Sequence, residues 1–240
     1  MRIDGRQNLE FRKMDFHVDY LKIPFSCVKG VLGDTVVLVS VTLTDALPDF
    51  CKGLGHGWIT AEYRMLPAST ITRNPNIVNA RAQEIRRIVS RVLRSAFDLY
   101  KFPKYQLIVD CDVLQADGGT RIACINTGFV ALLVAFNKLL QQGAIECIPL
   151  KSVIAAMSFV IQDGQILLDP NYIEDSSADV DLNIVVTADN KISELQFSSE
   201  KDFMNPELLS EIIQISFQKS REIIDIYRSK LGGVLLDKIF

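Results

Sequence analysis

The sequence predicts an α+β fold, a single domain of β-sheets with packed helices, and three observations predict it. Apolar and polar residues alternate in short runs, as they do along strands with one buried face. Those runs follow one another in groups, which points away from strict βαβ alternation. Three longer stretches carry apolar residues at helical spacing instead.

In chain order, strands are expected over residues 9–18, 25–32 and 35–44, the last two joined by the turn Gly33-Asp34. A loop with Gly53, Gly55 and Gly57 leads to a strand at 58–66, which Pro67 closes. Polar residues and Pro75 make 67–79 a loop. Residues 80–100 form the first helix, with Ile85, Ile88, Val89, Val92 and Ala96 on one apolar stripe. Leu107, Val109, Cys111 and Val113 then share one face of a strand, and Ile108, Asp110, Asp112 and Leu114 share the other. That strand stops at Asp117-Gly118-Gly119, and residues 120–140 read as a helix buried on nearly all sides. Asp163-Gly164 is a two-residue hairpin turn between strands at 153–161 and 165–168. A further strand pair, 179–187 and 191–197, precedes a helix over 206–230.

Composition narrows the function classes. The 240 residues are 48% hydrophobic and 23% charged, which excludes disorder and supports one large core. The longest unbroken apolar run, 129–136, is well short of the ~20 residues a membrane-spanning helix needs. The charged start Met1-Arg2-Ile3-Asp4-Gly5-Arg6 has no apolar signal-peptide core, so a cytoplasmic protein without membrane contact is expected. Five cysteines without a C-x-x-C pair suit reduced core thiols, and two histidines, His17 and His56, argue against a Cys/His zinc site. A net charge of −3 argues against a globally basic nucleic-acid binder and leaves room for a local basic patch.

Arg81, Arg86, Arg87, Arg91 and Arg94 supply that patch, five arginines in fourteen residues with Glu84 as the sole opposing charge. At ~100° per residue, Arg87, Arg91 and Arg94 share a polar face while Arg81 falls on the apolar stripe. The face is either solvated or tracks phosphates, which arginine forks bind in bidentate fashion. Arg81 either precedes the helix or turns inward.

A second candidate is Gln115-Ala116-Asp117-Gly118-Gly119-Thr120-Arg121, where a strand ends, glycines let the backbone turn and a helix begins. Free N–H groups in a first helical turn make an anion site, and Gly-Gly-Thr is equally plain N-cap chemistry. A third is Glu174-Asp175-Ser176-Ser177-Ala178-Asp179-Val180-Asp181, four carboxylates in eight residues. They are either solvated turn charges or, beside a phosphate site, ligands for Mg²⁺. Asp110 and Asp112 are further acidic candidates, with solvation at a strand edge the simpler account.

Together these segments resemble the ribonuclease PH family of phosphate-dependent 3′ exoribonucleases, to which the exosome ring and polynucleotide phosphorylase are related. The resemblance covers most of the chain: Asp4-Gly5-Arg6, Gly33-Asp34-Thr35, Gly57-Trp58-Ile59-Thr60-Ala61-Glu62-Tyr63, Met65-Leu66-Pro67, Glu84-Ile85-Arg86-Arg87, the run from Asp110 to Arg121, and Tyr172-Ile173-Glu174-Asp175. It implies a fold like domain 2 of ribosomal protein S5, with two βαβα-type halves, and a homo-hexamer built as a trimer of dimers. It also implies inorganic phosphate as co-substrate held by Arg81, Gly119, Thr120 and Arg121, with Asp175 and Asp181 as catalytic and Mg²⁺-binding carboxylates, one of them assisting protonation of the leaving oxygen. Arg73, Arg86, Arg87 and Arg91 are the expected RNA contacts.

The implied activity is a nucleotidyltransferase that trims 3′ ends of RNA such as tRNA precursors, releasing nucleoside diphosphates. The alternatives are a catalytically silent RNA-binding ring subunit and metal-dependent hydrolysis by the acidic cluster. Departures fall around the site. The loop 68–80 is short and poor in arginine, with Pro75-Asn76-Ile77 in a normally charged stretch, and Arg86 stands where glutamine is usual. Asp169-Pro170-Asn171-Tyr172 and Phe197-Ser198-Ser199-Glu200 replace the usual Asp-Leu-Asp-Tyr and Gly-Thr-Ala-Glu. The tail 231–240 is expected to extend past the common core and pack on its own subunit.

Overall fold

The computed structural model describes residues 2–74, 80–199, 201 and 203–232. Its first sheet contains β1 (Met14–Val18), β2 (Ser26–Leu32), β3 (Thr35–Thr44), β4 (Trp58–Met65) and β5 (Gln106–Gln115), in the spatial order β1-β2-β3-β5-β4. All its pairings are antiparallel except β4 with β5, which are parallel and joined by a crossover through α1 (Ala80–Ser95). A parallel pair requires such a crossover, because a tight turn cannot return the chain in the same direction. After α2 (Thr120–Gln141), the second sheet is wholly antiparallel, in the order β7-β6-β8-β9, from β6 (Ile154–Gln162), β7 (Gln165–Leu168), β8 (Val180–Thr187) and β9 (Ile192–Ser199). A short α3 (Tyr172–Ser177) links β7 to β8, and α4 (Pro206–Leu231) closes the second half. Each half thus ends in a long helix, and the parallel crossover is confined to the first.

Helix α2 packs on β2, β3 and β5 of one sheet and on β6 of the other, while α4 packs on β1, β6 and β8. By length and composition α2 could cross a membrane, yet 89% of its most apolar window is buried inside the protein. One buried polar group ties the layers together. Asn126 of α2 donates through Nδ2 to the Ala156 carbonyl at 2.9 Å, and its Oδ1 accepts from the Ala156 N–H at 2.9 Å and from the Tyr227 hydroxyl of α4 at 2.8 Å. Leaving any of these groups without a partner would cost about 1–3 kcal/mol, so the network fixes the register of helix on sheet.

Most element boundaries follow the sequence periodicity, with three differences. Strand β1 begins at Met14 and not at residue 9, because the preceding segment bonds elsewhere: Asn8 accepts from the Leu168 N–H, and the Arg12 N–H donates to Asp169. Helix α1 ends at Ser95 and not at residue 100. Phe97 turns into the core against Phe129 and Phe136, and Asp98 caps the separate turn Leu99–Lys101. The acidic stretch around Glu174, for which no helix is expected, begins in a helical turn; Asn171 and Glu174 form a reciprocal capping box around its start. Of the expected features, Pro75-Asn76-Ile77, Glu200 and residues 233–240 lie outside the described residues.

Candidate active site

The loop from β5 to α2 is pinned from behind. Thr35 Oγ1 accepts from the Asp117 N–H at 2.9 Å and donates to the Gly118 carbonyl at 2.7 Å, while Arg12 Nη1 donates to the Asp117 carbonyl. Gly118 and Gly119 adopt φ of +71° and +66°, and a Cβ on Gly118 would lie 2.7 Å from the Pro170 carbonyl oxygen. Glycine is therefore required by conformation and by space. With its carbonyls tied back, the loop presents the first N–H groups of α2 and the positive end of the helix dipole to a cleft of about 460 Å³.

Side chains from several elements line that cleft. The Thr120 hydroxyl is hydrogen-bonded to that of Tyr63 at 2.9 Å, and burial pushes the Tyr63 phenol far up, so it stays neutral. Arg121 Nη1 donates to Gln196 Oε1 at 2.5 Å. Arg81 is the second residue of α1, which settles the choice between loop and helix. A cation in a first helical turn opposes the dipole, and α1 has no acidic residue there to relieve it. The first turns of α1 and α2 thus bring Arg81 and Arg121 to one space, where two cations beside helix N-termini suit an anion.

Asp175 comes from α3 and Asp181 from β8, and both line the same cleft. Burial raises the Asp175 carboxyl, against the opposing influence of Arg81, Arg121 and Arg12. Asp181 is pushed up to about 6, first by burial and then by the charge of Asp175, although Arg121, Arg81 and a hydrogen bond from Asn183 pull it down. Asn183 Nδ2 lies 3.2 and 3.3 Å from the two Asp181 oxygens. A carboxylate pair lining one cleft, in which Asp175 raises the proton affinity of Asp181, fits Mg²⁺, which takes one or two carboxylates together with water and substrate oxygens. Among the described residues there is no cluster of three or more His, Cys, Asp or Glu side chains that would suggest a closed metal cage. A second hollow of about 740 Å³ shares Arg81, Arg121, Asp175 and Asp181 as its wall.

An ionic layer beneath the site explains the motif Asp4-Gly5-Arg6. Arg2 forks onto Glu174 at 2.7 and 2.5 Å, and Arg12 binds Asp169 at 2.7 and 3.1 Å; all four residues are buried. Arg6 Nη1 donates to the Asp169 carbonyl at 3.0 Å, and Arg6 Nε donates to Asp4 at 2.7 Å. The N-terminal segment thereby clamps both α3, which carries Asp175, and the glycine loop.

Of the expected site residues, Arg81, Gly119, Thr120, Arg121, Asp175, Asp181 and Arg73 share the cleft. The remaining arginines lie outside its lining. Arg86 pairs with Glu62 at 2.8 Å, Arg87 is exposed, and Arg91 pairs with Glu194 at 2.5 Å. Arg94 shares the helical face of Arg87 and Arg91 as expected, but its guanidinium is engaged within the chain: it stacks over Trp58 at 4.4 Å and donates to the Ile59 carbonyl at 2.8 Å. Asp110 and Asp112 stand away from the cleft and pair with Arg64. Sequence reasoning missed Asn183, whose signal was available, since it lies two residues beyond Asp181 on the same strand face. It also missed Arg12 and Gln196, for which no local pattern existed.

Comparison with known proteins gives a consistent result. Residues 10–136 match the 3′ exoribonuclease family, domain 1, and residues 152–219 match the same family, domain 2. The chain is 39% identical to the ribonuclease PH of Bacillus cereus (strain B4264) over 241 residues, covering 98% of each, and equally similar to that of Bacillus anthracis. Rice Rrp46 shares its fold with a TM-score of 0.80 at 21% identity, covering 96% of this chain and 100% of the other. The Archaeoglobus fulgidus exosome with RNA bound to the active site does so with 0.83 at 24%, covering 95% and 92%.

Proposed function

The chain belongs to the 3′ exoribonuclease family, as a ribonuclease PH-type phosphorolytic enzyme, and from that premise we propose that it trims the 3′ ends of RNA, tRNA precursors among them, releasing nucleoside diphosphates. An oxygen of inorganic phosphate attacks the phosphorus of the terminal 3′,5′-phosphodiester. The bond to the penultimate 3′-oxygen breaks, that oxygen takes a proton, and the departing nucleotide leaves with two phosphates. No protein nucleophile is needed, so catalysis reduces to placing phosphate in line and stabilising charge. The observation that carries this reading is the convergence of Arg81, Thr120 and Arg121 on the cleft that Asp175 and Asp181 share. A silent scaffold has no use for that costly arrangement, and hydrolysis would leave the anion site idle.

Arg81, Arg121 and the α2 N-terminus hold and orient the phosphate, while Thr120, held by Tyr63, offers it a hydroxyl. Asp175 and Asp181 would hold Mg²⁺, which when bound neutralises charge developing on the transferring and leaving oxygens. Arg73 at the cleft and Arg87 on the outer face are the arginines best placed for the body of the RNA, since Arg86 and Arg91 are engaged within the chain. The same proposal includes a homo-hexameric ring, assembled as a trimer of dimers, in the cytoplasm. The free cysteines, four of them buried, suit a reducing compartment.

Incubating the protein with 3′-extended RNA should give nucleoside diphosphates only when phosphate is present. Monophosphates released without phosphate would overturn the reading in favour of hydrolysis. Sedimentation should give about six times the chain mass of 26.9 kDa, and a fully active monomer would contradict the ring.

A further inference from the structure

Arg121 is held inside this chain by a neutral partner. Its Nη1 donates to Gln196 Oε1 at 2.5 Å, and Gln196 Nε2 donates to Glu84 Oε1 at 2.7 Å. The three residues come from α2, β9 and α1, so no single element creates the chain of bonds. Its direction is fixed by chemistry. A guanidinium can only donate and an ionised carboxylate can only accept, so the amide between them must turn its oxygen to Arg121 and its nitrogen to Glu84. Strand pairing sets Gln196 opposite Asn183 and Ser198 opposite Asp181, which places Gln196 on the sheet face that carries the site.

We propose that Gln196 is a positioning residue for phosphorolysis: it aims Arg121 at inorganic phosphate without neutralising it, and Glu84 sets the orientation of the Gln196 amide. The inference rests on the phosphorolytic reading above. A carboxylate at position 196 would grip the guanidinium at least as firmly, but the resulting ion pair would compete with the incoming phosphate for the same charge. An apolar side chain would leave the guanidinium free to swing. The position therefore calls for an uncharged acceptor, and glutamine supplies one long enough to reach from β9. Glu84 stays one residue removed from the guanidinium, where it orders the amide without itself occupying the fork of Arg121.

The test is steady-state kinetics with phosphate varied at saturating RNA, and RNA varied at saturating phosphate, on the full-length protein. Gln196→Glu is expected to raise KM for phosphate by about tenfold or more, with a smaller effect on kcat and little on KM for RNA. Glu84→Gln should raise KM for phosphate a few-fold. The double variant Gln196→Glu with Glu84→Gln rebuilds the chain of hydrogen bonds, since the new amide can donate to the new carboxylate. It should melt close to the unaltered protein yet keep the raised KM for phosphate, which a purely structural role would not produce. Gln196→Glu with an unchanged KM for phosphate, or a double variant whose KM returns to normal, would overturn the proposal while leaving phosphorolysis intact. Absence of any phosphate dependence in the unaltered protein would instead overturn the phosphorolytic reading, and this inference with it.

Discussion

Asp181→Asn is expected to stop phosphorolysis and, in the metal-free protein, to raise thermal stability at neutral pH. Both effects come from the same carboxylate. Asp181 is pushed up to about 6 from an ordinary value of 3.8 by burial and by Asp175. A carboxyl whose folded-state value is raised favours folding most when protonated in both states, below about pH 4; that advantage is lost as pH rises through 6, where ionisation burdens the folded form. Above pH 6 the full burden is present, of order 1–3 kcal/mol once partial solvent screening is allowed for. Asparagine removes the charge and keeps an oxygen to accept from Asn183. With a chelator present, the variant should therefore melt roughly 2–10 °C higher at pH 7, the gain fading as pH falls toward 4. Turnover should fall by at least about three orders of magnitude, because a ligand of the charge-neutralising cation is gone, while RNA binding persists. Normal turnover would remove Asp181 from the chemistry; a lower melting temperature at pH 7 would show that its charge is not a burden.

Replacing either arginine of the anion site should cost activity on a similar scale by a different route. Arg121→Ala or Arg81→Ala deletes a charge-assisted contact to the nucleophile, and loss of one well-placed donor of this kind lowers turnover by roughly two to three orders of magnitude. RNA affinity, measured by filter binding, should hardly change. Arg87→Ala makes the contrast. If its exposed guanidinium meets RNA phosphates, the variant binds RNA more weakly and its log affinity falls less steeply with log salt, by about one unit of slope per lost contact. Normal phosphorolysis by both cleft variants would dissolve the assignment of the phosphate site even with family membership secure.

The parts of the molecule legible in the sequence are those set by short-range rules. Alternation located β3 and β5 to the residue or nearly so, and the glycine pair after β5 located the turn into α2, because at Gly118 only glycine tolerates both the left-handed turn and the neighbouring backbone of Pro170 and Asn171. What stayed hidden is set by partners far along the chain. Arg12 and Asp169 are 157 residues apart, and Arg121 and Gln196 are 75 apart, so no window of sequence contains either pair. The early end of α1 is of the same kind: the periodicity runs on past Ser95, and a bridge from Phe97 to Leu150 overrides it. Asp175 illustrates the middle case. Its membership of an acidic run was plain, but the helical turn that aims it depended on a capping box between Asn171, upstream of that run, and Glu174, its first residue.

The ionic layer of Arg2, Arg12, Asp169 and Glu174 has a consequence for how this chain can diverge. Removing one member of a buried pair leaves an uncompensated charge and costs about 3–5 kcal/mol, a large part of the 5–15 kcal/mol by which domains are stable, whereas replacing both members with well-packed apolar residues can be neutral or better. Each pair is therefore an epistatic unit, crossing to another solution only by near-simultaneous change at positions 157 or 172 residues apart. Selection on foldability alone then keeps the floor of the catalytic cleft in place, so descendants that lost the reaction would still carry the clamp.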